Sequence, residues 1–106
     1  MTRIFPALLL ASLSALLLSP ARAADEMALA ASRNCLACHK TSDRVIGPSF
    51  HSIAEKYRHH PEVTRMLTDR VLHGGSGNFG IVPMPPSPQV TPAEARRLVD
   101  WILQMR

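Results

Sequence analysis

Along the chain, apolar and polar positions divide into one nearly unbroken apolar run and four shorter amphipathic segments. The run extends from Ile4 to Leu18, interrupted only by Pro6 and small serines. The first amphipathic segment, Asp25 to Asn34, reads as a helix with Met27, Ala30 and Ala31 on its apolar stripe. Asp25 and Glu26 sit at its start, where the helix macrodipole favours acids. Phe50, Ile53, Ala54 and Tyr57 fall at i, i+3, i+4, i+7, one face of a short second helix. That helix stops before Pro61, which pushes His60 away from helical angles. Pro61 suits the first turn of a third helix, whose face carries Val63, Met66, Leu67, Arg70 and Val71. Gly74 and Gly75 end it. The fourth helix opens on Thr91, Pro92 and Glu94, the signature of a capping box. Its buried stripe is Ala95, Leu98, Val99 and Ile102, with Trp101 and Met105 beside it.

No segment alternates with the period of a strand, so the pattern predicts an all-α domain of about four short helices. Between the third and fourth helices, residues 74–90 carry four glycines and four prolines without periodicity. A loop of that length is unusual in so small a domain, and such loops are commonly functional.

Composition changes the picture once the apolar run is assigned. Arg3 ahead of the run and Ser19-Pro20-Ala21-Arg22-Ala23 behind it form the n-region, h-region and small-residue cleavage site of a secretory signal. Residues 1–23 are therefore expected to be a cleaved export signal and residues 24–106 the working domain, delivered to an oxidising compartment. At about 15 residues the run is shorter than the roughly 20 a membrane-spanning helix needs. No basic cluster follows it, so no membrane anchor is expected after cleavage. Removing Arg3 and Arg22 lowers the formal net charge from +4 to +2. A weakly basic chain with no clustered basic face gives no reason to expect nucleic-acid binding. The remaining 83 residues lie in the size range where a core is marginal without a staple. Two cysteines are too few for a multi-disulfide framework or, by themselves, a structural zinc site.

Those two cysteines stand in Cys35-Leu36-Ala37-Cys38-His39, the C-x-x-C-H attachment signature of c-type haem. In this chemistry the two thiols add across the two porphyrin vinyl groups. The two residues between them let one turn of chain reach both vinyls, and the adjacent histidine becomes an axial ligand of the iron. A thiol–disulfide pair is the main competing reading, favoured by export, but such sites follow a strand in a βαβ unit and none is visible. Zinc would need two further ligands at suitable spacing.

The other axial ligand must come from His51, His59, His60, His73, Met27, Met66, Met84 or Met105. Met66 and Met105 fall on helix stripes or ends, where they fill core. Met27 lies on the helix leading into the attachment motif. His51, His59 and His60 flank a short surface helix. Met84 stands between Pro83 and Pro85-Pro86 with fixed backbone angles on both sides, which suits a ligand that must stay put while iron changes oxidation state. Met84 is the expected ligand and His73 the reserve. With both axial positions held, no open site remains for oxygen or substrate.

The order of Cys35-Leu36-Ala37-Cys38-His39, Gly47-Pro48, Pro83-Met84-Pro85-Pro86 and a capped C-terminal helix resembles the class I cytochromes c. It is closest to the short bacterial monohaem type of about eighty residues, and the resemblance covers essentially the whole of residues 25–106. It implies a small cytochrome c fold wrapped around one covalently bound haem c and a role as a monomeric electron carrier rather than an enzyme. The implied partners are a quinol-oxidising complex and a terminal acceptor, either nitrite reductase or a haem-copper oxidase. It also implies that the Pro48 carbonyl holds the second ring nitrogen of His39 and that Arg70 reaches a haem propionate. Phe79 stands where the family often has a tryptophan that bonds a propionate, a bond phenylalanine cannot donate. Ser87 stands where an asparagine often holds the methionine sulfur. The remaining functional alternatives are a gas sensor or enzyme with an open distal site and a thiol–disulfide oxidoreductase.

Overall fold

A computed structural model describes residues 20–106. Residues 1–19, and with them most of the export signal expected at 1–23, lie outside the described residues. Four α-helices organise the described residues: α1 (Pro20–Ser32), α2 (Phe50–Tyr57), α3 (Thr64–His73) and α4 (Pro92–Leu103). Single 3-10 turns stand at Cys35–Ala37 and Pro61–Val63. Among the described residues, no helix is long and apolar enough to cross a membrane.

The expected capping box of α4 is present, and α2 has a cap that the sequence pattern did not mark. The Ser49 hydroxyl accepts from the Ser52 amide at the start of α2. At the start of α4, the Glu94 amide donates to the Thr91 hydroxyl while the Glu94 carboxylate accepts from the Thr91 amide. Each bond satisfies a backbone or side-chain group that the helix terminus alone leaves open.

Helix α1 differs from expectation in its start and in its buried face. It is already formed at Pro20, where the described residues begin, so Asp25 and Glu26 lie within its body rather than at its start. The reason is local: alanine is the strongest helix former, and Ala21, Ala23 and Ala24 carry the helix ahead of Asp25. Ala31, expected on the buried stripe, is exposed, whereas Glu26 and Ala30 are buried. Helix α4 sets this face. Arg97 Nη2 donates to Glu26 Oε1 at 2.7 Å, and Arg33 Nε donates to Glu94 Oε2 at 2.8 Å. These two ion pairs clasp α1 to α4 on either side of Ala30. The helix ends at Ser32, and the chain reverses into Cys35 through Asn34, whose left-handed φ of 67° is a conformation asparagine tolerates better than most residues.

The segment expected to be free of strands contains a short antiparallel hairpin, β1 (Gly75–Gly77) and β2 (Gly80–Met84), with Gly75 opposite Met84 and Gly77 opposite Gly80. Gly77 and Gly80 take φ of 108° and 112°, where a side chain is strained. Strand periodicity was invisible because both faces of the hairpin are open: every strand residue but Met84 is exposed.

The core is small. Ala30, Val90, Ala95 and Leu98 form its buried cluster, with Leu29, Leu36, Val71, Leu72 and Trp101 packed against it. Phe50, 2% exposed, packs edge-on against Trp101 at 5.5 Å. Helix α3 packs extensively on α4, yet its one buried residue is Thr64. Its apolar face, Leu67 and Val71, looks onto a cleft instead.

Candidate functional site

The cleft is built by the C-x-x-C-H turn, the loop to Pro48, α3, the hairpin and the inner face of α4. It encloses about 1160 Å³ counting its open mouth. Its lining is predominantly apolar, with Phe50, Ile53, Leu67, Leu98, Val99 and Ile102 among the contributors.

Cys35 and Cys38 both line this cleft. The Cys38 and His39 amides both donate to the Cys35 carbonyl, at 3.2 and 3.0 Å, so the motif is wound into one tight turn. That turn brings the two thiols to the same cavity. They are half-buried and not joined to each other. Burial pushes the Cys35 thiol above its ordinary value, its own backbone hydrogen bond opposes this, and the neighbouring Cys38 adds to it.

His39 is 9% exposed and lines the same cleft. Its Nδ1 lies 2.7 Å from the Pro48 carbonyl oxygen. A carbonyl only accepts, so Nδ1 carries the proton and Nε2 keeps its lone pair for a ligand. The ring stacks on Phe50 at 5.6 Å and 19°. Gly47 closes the other side: a Cβ there would stand 2.7 Å from His39 Cε1 and 3.0 Å from Nδ1. This glycine is required for space, since its φ lies outside the left-handed region.

Met84, half-buried at the end of β2, also lines the cleft. Its backbone is seated on Gly74 at the end of α3. A Cβ on Gly74 would collide with the Met84 carbonyl oxygen and lie 2.8 Å from Pro86 N, and its φ is 73°. The sequence reading marked Gly74 only as a helix stop; it also seats the Met84-Pro85-Pro86 backbone. None of His51, His59, His60, His73, Met27, Met66 or Met105 lines the cleft. His73 instead faces a shallow depression shared with Glu62 and Asp69.

Arg70 and Phe79 reach the cleft, while Ser87 is not among its lining residues. The Ser87 amide donates to the Val71 carbonyl at 3.2 Å, anchoring the segment after the prolines. Phe79 stands edge-on to Tyr57 at 6.2 Å and 82°, with Lys56 Nζ 4.6 Å from its ring centroid. Sequence reasoning missed Asn78. Its carboxamide nitrogen donates to the Tyr57 hydroxyl at 2.8 Å and lies 3.4 Å from Met66 Sδ, and its carbonyl oxygen accepts from Arg70 Nη2 at 3.3 Å. An asparagine in a glycine-rich turn gives no periodic signal that could have marked it.

Two thiols, one imidazole with a free Nε2 and one thioether converge on an apolar cleft whose wall also carries Arg44 and Arg70. That donor set fits a covalently attached haem, whose large apolar face needs such a lining. It fits zinc poorly, because among the described residues no three His, Cys, Asp or Glu side chains are placed to hold one metal ion together.

Comparison with known proteins agrees. The cytochrome c family model matches residues 25–106. Cytochrome c-552 of Nitrosomonas europaea is 40% identical over 78 residues, covering 74% of this chain and 76% of that protein. Cytochrome c-551 of Allochromatium vinosum is 38% identical over 90 residues, covering 85% and 95%. The crystal structure of the wild-type Nitrosomonas europaea cytochrome superposes with a TM-score of 0.72 at 39% identity, covering 76% of this chain and 99% of that one.

Proposed function

The chain belongs to the small bacterial class I monohaem cytochromes c, and from that premise we propose that it carries single electrons in the periplasm with His39 and Met84 as the axial ligands of its haem. It is an electron-transfer protein rather than an enzyme. The observation that carries the ligand assignment is convergence: among the histidines and methionines of the described residues, His39 and Met84 are the two that line the cleft holding both cysteines.

When bound, the haem supplies a one-electron couple, which methionine–histidine ligation places at high potential. Cys35 and Cys38 would hold it by thioether bonds. The Pro48 carbonyl orients the His39 ring and strengthens its basicity, while Phe50 and Gly47 confine the ring from its two sides. Gly74 and the flanking prolines hold Met84 in one place, so little rearrangement accompanies a change of charge at the site. The apolar floor from Leu67, Leu98 and Val99 excludes water. Of the two arginines that line the cleft, Arg44 and Arg70, Arg70 would meet a haem propionate.

Ile46 and Val82 line the mouth of the cleft while remaining 56% and 58% exposed, and Val45 and Ile81 extend the apolar rim at 53% and 93%. An exposed apolar rim of this kind suits brief docking over a small interface. Its partners would be a quinol-oxidising complex on one side and nitrite reductase or a haem-copper oxidase on the other, with residues 1–23 directing export.

The test is a haem stain of the exported protein after denaturing electrophoresis, with a reduced-minus-oxidised spectrum of the native protein. Haem that stays on the chain through denaturation, with a low-spin spectrum, is the expected result. A colourless chain with two titratable thiols would contradict it and restore the thiol–disulfide reading. A high-spin spectrum would favour a sensor with an open distal site.

A further inference from the structure

The Arg70 guanidinium is held by more than its own helix. Its Nη1 donates to the Ser76 carbonyl at 2.9 Å and its Nη2 to Asn78 Oδ1 at 3.3 Å. It lies flat over Gly75, where a Cβ would stand 2.7 Å from Nη1 and 3.0 Å from Cζ. Asn78 is itself fixed in one orientation. Its Oδ1 meets a guanidinium, which can only donate, and its Nδ2 meets the Met66 thioether, which can only accept. The Tyr57 hydroxyl takes the other Nδ2 hydrogen, and the Asn78 main-chain carbonyl accepts from Lys56 Nζ.

We propose that Asn78, with Gly75 and Ser76, is the positioning residue that fixes the Arg70 guanidinium on the cleft wall as a carboxylate clamp, in place of the N–H that Phe79 cannot offer. The proposal rests on the haem reading above, because the carboxylate is that of the bound haem. Guanidinium has five N–H groups, of which the hairpin takes two. The rest remain at a residue lining the cleft, and no carboxylate among the described residues lies within ion-pair distance of it. A pre-oriented planar cation without a counter-ion is suited to bidentate capture of a carboxylate. Phe79 next to Asn78 has its ring packed against Tyr57 and under Lys56, so it contributes support for the turn and no donor.

The other charged and titratable groups around this guanidinium are accounted for by element. Glu62, Arg65, Asp69 and His73 share the shallow depression on its outer side. Lys56 and Tyr57 reach the turn from α2. From the loop after Cys38, Arg44 Nη2 holds the Phe79 carbonyl.

The experiment measures reduction potential against pH in the holoprotein. A haem carboxylate held ionised by Arg70 leaves the potential flat through neutral pH. Releasing the clamp raises the pH midpoint of its ionisation by about 1–3 units, the usual effect of losing a nearby opposite charge. Asn78→Val and Asn78→Ser are expected to raise the midpoint in the same direction as Arg70→Gln. In the Arg70→Gln background, Asn78→Val is expected to add nothing. A midpoint unmoved in folded Asn78 variants overturns the proposal, as does an Arg70→Gln profile identical to wild type. A displacement of equal size with and without Arg70 also overturns it. A colourless wild-type chain would instead remove the haem reading on which the proposal stands.

Discussion

Replacing Gly47 by alanine tests the support of the His39 ring through a single methyl group. On backbone grounds the change should help, since the φ of Gly47 lies outside the left-handed region. A glycine-to-alanine change at such a site stabilises by about 0.4–1 kcal/mol through the unfolded chain. The structure reverses the sign. The new Cβ would stand 2.7 Å from His39 Cε1, 3.0 Å from Nδ1 and 3.3 Å from the Cys38 carbonyl oxygen. The ring cannot swing away without giving up its partners, because Phe50 stacks on it at 5.6 Å and the Pro48 carbonyl holds Nδ1 at 2.7 Å. Overpacking of this kind costs about 1–3 kcal/mol, and loss of the Pro48 bond about 0.5–1.5 kcal/mol more. After subtracting the backbone gain, Gly47→Ala should destabilise the holoprotein by about 0.5–4 kcal/mol, with the middle of the range at about 2. It should also change the reduction potential, because the bond that orients the ligand is disturbed. Guanidinium unfolding of the holoprotein, followed at the haem absorption and by helical circular dichroism, gives the first quantity, and a redox titration gives the second. A variant at least as stable as wild type, with the same potential, would refute the packing argument.

Three further outcomes follow from the same geometry. Phe50→Ala removes a side chain that is 2% exposed and touches both His39 and Trp101, and should lower unfolding stability by about 3–5 kcal/mol in a denaturant titration. Thr91→Ala removes half of the capping box of α4 and should cost about 1 kcal/mol, read as a shift in denaturant midpoint without a change in potential. The hydrogen bond from Arg33, with the Thr91 amide next in weight, holds the Glu94 carboxyl below its ordinary value. Its folded pKa therefore lies below its unfolded pKa, and its contribution is present above the unfolded value and lost as pH falls through the folded one. Stability measured from neutral pH down into this acid range should consequently fall less steeply in Glu94→Gln than in wild type.

The attachment turn, the methionine between prolines and the capping box of α4 were legible because each is a local pattern with a local physical cause. The second helix was equally plain, since Phe50, Ala54 and Tyr57 are buried where their spacing places them. Non-local partners explain what was missed. Glu26 is buried because Arg97, 71 residues away, donates to it, and no periodicity within α1 can announce that partner. Ala31 was assigned to the stripe on the same helical spacing and turns outward because α4 selects the Glu26–Ala30 face. The hairpin escaped notice because strand alternation is written by a buried face, and β1 and β2 have none. Arg70 stood on a helix stripe, yet its role depends on Gly75, Ser76 and Asn78, which the hairpin brings back over the end of α3.

The central claim is that His39 and Met84 occupy both axial positions, leaving an electron carrier with no open site. Its most direct test is exposure of the reduced holoprotein to carbon monoxide, with Met84→Ala as the positive control. The absorption spectrum of the reduced wild-type protein should remain unchanged while that of Met84→Ala shifts. Rapid carbon monoxide binding by the reduced wild-type protein would contradict the account.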